Sequence, residues 1–446
     1  MKGVYVLSVL AVILVLIVGQ VVPCVGPGSV RAASGASSAP GAETAQDSAP
    51  SSASSSPAAR NRVRTSITIL PQMELLTAVQ TQTSWAKRIE RPGSEVNDYY
   101  IAVKEFMSKY KDNEAVRVCQ ELLDRGFSYD APATFILYLG PLPDLDLVHE
   151  YSDYLIGRAG GREKLEEFRL ALRSLAQEAD FVDFLAQWEP KFRQWIDSVE
   201  RATDLAKVAR WWEDFTGISA GDEYHIVLCP AAFYNNYGPR IRDEATGAMA
   251  AYNIAAARPG PGEPSFGGGN NLEKLSIHEI GHSFVNPTFE PFADQLSSIL
   301  PLYRIVESKM KEQSYPSVGI FLNEQVIRAA QVIAEGELYG PENREASIRR
   351  DESLGFHMTS FVVERLEEYA ANRDKYLRFT DYVPVLLEQL AEEAKVVQGR
   401  TTNSRITLCV LAALGLVGAW FLVRRKGPGS GPSAEKRGAG SLEDRP

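Results

Sequence analysis

The sequence predicts an α+β domain, mainly helical, with a small β-sheet just ahead of one helix that carries a metal-binding pattern. Three observations predict it. Apolar residues recur at helical spacing through most of 94–215 and again from 292 to 397. Between these, Glu223–Cys229 and Ala248–Ala256 read as short strands. The stretch from Leu275 to Phe284 holds His278-Glu279-x-x-His282, whose two imidazoles share one helical face at i and i+4.

Taken in order, Met1-Lys2 is followed by an almost wholly apolar run from Val4 to Val22, so residues 1–32 read as a signal peptide or an N-terminal anchor. Residues 33–60 are Ala, Ser, Pro and Gly with a few polar residues and contain no Val, Ile, Leu or aromatic. Such a segment cannot build a core and reads as a disordered linker. The folded domain then spans 61–400, a helical part over 61–215 and a metal-site part over 216–400. Val63–Thr68 alternates and is β-branched, as a strand is, and Met73–Val79 continues it or begins a helix.

Helices are expected over Ser94–Tyr110, Asn113–Asp124, Asp144–Ile156, Arg162–Ala179 and Pro190–Phe215. After the strands and a Gly-rich loop, Asn270 and Asn271 are placed to cap the motif helix and Pro287 to end it. Further helices are expected near 292–313, 318–337, 356–371 and 379–398. From Ile406 to Val423 the chain is apolar for 423 − 406 + 1 = 18 residues and Arg424-Arg425-Lys426 follow. That reads as a transmembrane helix with a cytoplasmic tail over 424–446, placing the body outside the cell membrane.

Composition narrows the function. The formal net charge is −10 and the body has no Lys/Arg-rich run, which speaks against nucleic-acid binding. Of four cysteines only Cys119 and Cys229 lie in the body. With only five histidines in the chain, the two of the motif are assigned as zinc ligands, with Glu279 as the general base acting on water. A catalytic zinc takes three protein ligands. A third-His version needs Gly at 285 and His at 288, where this chain has Val285 and Thr288. A later-helix version takes a Glu, and Glu324 is preferred at 324 − 282 = 42 residues downstream, with Arg328 one turn on to orient it. Glu307, Glu335 and Glu337 are weaker candidates, and an upstream Cys229 is the remaining option. For a donor to the developing oxyanion the order is His357 first, then Tyr234, Tyr237 and Tyr252.

Four blocks together resemble an uncharacterised family catalogued as domain of unknown function 4932. They are Gly126–Pro132, His278–Pro287, Asn323-Glu324 with Arg328-Ala329, and Glu367–Asp374. The resemblance implies one composite, zincin-like metallopeptidase domain across most of 62–395, in a secreted or membrane-anchored protein, and brings no substrate with it. The expectation is a membrane-anchored, extracellular zinc peptidase acting on peptides or proteins. A non-peptidase zinc hydrolase and an inactive surface-binding module on the same fold are the alternatives; oligomeric state is left open.

Overall fold

A computed structural model describes residues 63–90, 95–232, 236–243 and 246–400. The leader, the linker, the apolar run over 406–423 and the tail lie outside the described residues. Among those described, no helix is long and apolar enough to cross a membrane.

The domain is mainly helical with a four-stranded mixed sheet of order β1-β2-β4-β3. Strand β1 (Arg64–Thr68) leads into helix α1 (Pro71–Gln80), which a proline at its first position starts. The helical part continues through α2 (Asp98–Met107), α3 (Glu114–Asp124), α4 (Asp130–Ile136), α5 (Asp153–Ala159), α6 (Arg162–Glu178), α7 (Phe181–Ala202) and α8 (Leu205–Thr216). Asn97, Asn113 and Ser152 cap α2, α3 and α5 through their side-chain oxygens.

Two expectations fail here. Asp144–Ile156 is not one helix. Residues 141–144, with Pro141 and Pro143 among them, form a turn closed by Leu145 N–H donating to Pro141 O at 3.0 Å, and Gly140 and Val148 make hairpin-like backbone bonds to Asp146 and Tyr138 before α5 begins. Pro190–Phe215 is two helices, because Asp204 breaks the run and caps α8 by accepting from the Lys207 N–H at 2.8 Å.

Strand β2 (Glu223–Cys229) pairs in parallel with β1 on one side and with β4 (Met249–Ala256) on the other. Its run Ile226–Cys229 is buried throughout, as a parallel strand covered on both faces should be. Strand β3 (Arg240–Arg242), not expected from the sequence, pairs antiparallel with β4 at the edge.

The motif helix is α9 (Asn271–Phe289), packed against β4, α8 and α10 (Val318–Tyr339). Asn270 makes no side-chain cap, and the helix runs through Pro287 instead of ending there. A proline leaves the carbonyl four residues back without its helical donor, and the Arg240 guanidinium donates to that carbonyl, Ser283 O, at 3.4 Å. Short helical pieces fill most of 290–312 between α9 and α10. After α10 come α11 (Pro341–Leu354), which the sequence does not lead one to expect, α12 (Thr359–Ala371) and α13 over 379–400.

Candidate metal centre

Tight packing fixes α9. The Trp212 indole of α8 donates to Ile277 O at 2.8 Å and stacks on Phe284 at 5.4 Å. Gly281 makes room for it, since a Cβ there would stand 2.5 Å from the indole. On the sheet side, buried Asn253 of β4 donates to Ser276 Oγ at 2.8 Å. Gly238 comes closer still, where a Cβ would meet Glu279 O at 1.8 Å, so only glycine lets the chain leading to β3 lie on the motif helix.

Helix α10 packs on α9 and brings Glu324 to the histidines. Its Oε1 lies 3.3 Å from His282 Nε2 and its Oε2 lies 3.5 Å from His278 Nε2. One ligand atom from each of the three lies within 4.8 Å of the others. All three side chains are at most 19% exposed.

The residues fit a zinc ion. A tetrahedral ion with ligands at roughly 2.0–2.1 Å holds its donor atoms about 3.3 Å apart, close to the separations from both Nε2 atoms to Glu324. Glu324 Oε2 is also buried without a hydrogen bond, with the Arg328 guanidinium at 3.4 Å as its cationic neighbour, so it keeps an acceptor free for a metal ion.

A second layer of side chains orients these candidate ligands. His278 Nδ1 sits 3.2 Å from Gln331 Oε1, and the Gln331 amide donates to Glu335 Oε1 at 2.7 Å and to Lys274 O at 3.2 Å. His282 Nδ1 sits 3.3 Å from Asn286 Oδ1. An imidazole that donates Nδ1–H to an amide oxygen is left with Nε2 as its ligating nitrogen. The Arg328 guanidinium lies 3.4 Å from Glu324, 3.3 Å from the fully buried Asp351 and 4.2 Å above the Phe356 ring.

The electrostatics follow from burial and these partners. Burial pushes His278 down to about 3, with Arg328 and His282 adding to it. Burial would lower His282 too, but its bond to Glu324 and the charges of Glu324 and Glu279 lift it to about 9. Burial would raise Glu324, yet His278, His282 and Arg328 hold it far below the usual carboxylate range. Glu279, with no such bond, is pushed by burial up to about 7. That value suits a base working near neutrality.

The other candidates are dispersed. His357 stacks on Phe321 at 6.3 Å with both ring nitrogens buried and unbonded, and its principal charged neighbour is Glu352. Tyr252 lies against His225 at 4.8 Å, and Tyr237 lines a small cavity with Met73, Trp85 and Tyr129. Tyr234 is outside the described residues. Glu307 pairs with Lys311, Glu337 accepts from the Trp211 indole at 2.7 Å, and Glu335 stands behind Gln331. Cys229 is buried and free, its thiol 3.7 Å from Val227 O.

Sequence reasoning missed Gln331, Asn286, Asp351 and Tyr315. The first two carried a signal: Asn286 is i+4 from His282, and Gln331 is i+7 from Glu324 on the same helix face.

The chain belongs to the family described as Domain of unknown function (DUF4932), whose model matches residues 65–389. No curated protein and no solved structure matches it.

Proposed function

We propose that this chain is a zinc metallopeptidase, with His278, His282 and Glu324 as ligands and Glu279 as the general base. The carrying observation is the convergence of three donor atoms, from buried Glu324 and the half-buried His278 and His282, beside a buried carboxyl that is poised near neutrality. Zinc, when bound, supplies a Lewis acid that lowers the pKa of water to about 7 and polarises a carbonyl. Glu279 takes the proton of the attacking water and delivers it to the departing amine. Gln331 and Asn286 hold the two imidazoles in orientation, and Arg328 holds the carboxylate of Glu324.

The metal motif favours an enzyme over a surface-binding module, because a structural metal site has no use for a carboxyl beside its ligands. The apolar run over 406–423, followed by Arg424-Arg425-Lys426, supports an extracellular catalytic domain anchored in the cell membrane. Extracellular peptides or proteins are then the substrates.

A peptide-library digest by the zinc-loaded full chain tests this against Glu279→Gln. Wild type is expected to cleave, and the variant to keep its zinc and lose roughly 10²–10⁴-fold in kcat. Zinc-loaded wild type that cleaves no peptide would contradict the peptidase reading.

A further inference from the structure

Peptide hydrolysis also needs a hydrogen-bond donor for the oxyanion that forms when water attacks the carbonyl. We propose that Tyr315 is this donor, a catalytic residue of the same site; the assignment rests on the peptidase reading.

Three observations carry it. First, the Tyr315 hydroxyl accepts from the Arg328 guanidinium at 3.4 Å, and that guanidinium is itself 3.4 Å from Glu324 Oε2. The phenol oxygen is therefore occupied as an acceptor, and among the described residues nothing accepts its own hydrogen. Burial and Glu324 push this phenol up to about 12, so it stays protonated with its hydrogen free to donate to an anion. Second, the charges of Glu324 and Glu279 raise this phenol and that of Arg328 lowers it, so the hydroxyl lies near both the candidate ligand and the candidate base. His357 has no such coupling.

Third, the ring is held in place. It packs edge-on against Phe356 at 5.6 Å, the same ring that carries Arg328 on its face. Its own carbonyl accepts from the Tyr303 hydroxyl at 3.0 Å. The preceding Ser314 has φ +72°, which a non-glycine residue rarely adopts, and its Oγ bonds to the Tyr129 hydroxyl at 3.0 Å. Backbone strain held by surrounding bonds one residue before a free donor is the pattern expected where a loop presents a side chain to a reacting group.

The test compares wild type, Tyr315→Phe and Glu279→Gln as zinc-loaded full chains on a peptide that wild type cleaves. Zinc stoichiometry, kcat and KM are read. So is binding of a phosphinic peptide, which mimics the tetrahedral oxyanion, against that of a small thiol, which engages the metal alone. Tyr315→Phe is expected to keep one zinc and an unchanged KM, and to lose about 10²–10³-fold in kcat. It should bind the phosphinic peptide roughly 10- to 100-fold more weakly, with thiol binding unchanged. Where Phe fails to fold, Tyr315→Met serves in its place. A variant within threefold of wild type in kcat and phosphinic-peptide affinity overturns the assignment while leaving the peptidase reading intact, as does a variant that loses zinc. A wild type that binds zinc and cleaves nothing overturns both.

Discussion

Glu324 and Glu74 are both buried carboxyls, at 6% and 0% exposure, and their surroundings are opposite. Glu324 sits between two imidazoles and a guanidinium and is held ionised. Glu74, on α1, which touches β2, has no hydrogen bond of ordinary geometry at either oxygen. Burial pushes it up to about 8, the neighbouring Tyr99 hydroxyl pulling back only in part. The contrast shows what separates a buried carboxyl able to hold a cation from one that stays protonated. The metal half assembles positive and neutral-donor partners from its helices, whereas the helical half leaves its carboxyl to stay protonated. Glu279, pushed up to about 7 beside the ligands, lies between these limits, buried like Glu74 but within reach of His282 and Arg328.

Breaking the first environment should have the largest effect. Arg328→Met removes the buried cation shared by Asp351 and Glu324, leaving Asp351 the more exposed Arg350 at 3.1 Å. Loss of about 3–5 kcal/mol of unfolding free energy of the metal-free protein is expected, as for other broken buried pairs. Denaturant melts check this, and a loss under about 1 kcal/mol would mean the pairings at 3.3–3.4 Å contribute little.

The second environment is tested by pH. The Glu74 carboxyl ionises above about 4.5 when unfolded but only near 8 when folded. Through that window the folded state holds one more proton, so stability falls as pH rises, by at most about 1.36 kcal/mol per unit. Glu74→Gln removes that slope. The variant's stability relative to wild type should therefore rise from pH 5 to pH 8 by up to about 4 kcal/mol. A constant difference between the two proteins would show that Glu74 is already ionised in the fold.

The smallest effect sharpens the comparison within the metal half. Gln331→Ala leaves the ligands in place but frees the His278 ring, and zinc affinity should fall roughly 10- to 100-fold. Competition with a chromophoric chelator measures it. An unchanged affinity would reduce Gln331 to a packing residue.

Much of this site is legible in the amino-acid sequence. Two imidazoles at i and i+4 share a face on any helix, and Glu324, Arg328, Gln331 and Glu335 form one stripe on the next long helix. Helical periodicity therefore exposes the ligands and most of their supports. Tyr315 is not legible in this way, because it sits in a turn where no periodicity operates and its place depends on Phe356 and Arg328. Strand β3 is hidden for a related reason: three residues carry no alternation worth reading, and the strand exists because β4 offers an edge. Pro287 misleads because a proline commonly ends a helix, whereas here Arg240, 47 residues away in the chain (287 − 240 = 47), satisfies the carbonyl it frees. The Asp144–Ile156 stretch misleads in the opposite sense, its apolar spacing overridden by prolines just ahead of it.

The central claim is that His278, His282 and Glu324 hold one zinc ion, and metal analysis of the purified full chain tests it most directly. Wild type should carry one zinc per chain after dialysis, and Glu324→Gln should lose it while remaining folded. Wild type without stoichiometric zinc, or a Glu324→Gln variant that retains it in full, would contradict the account.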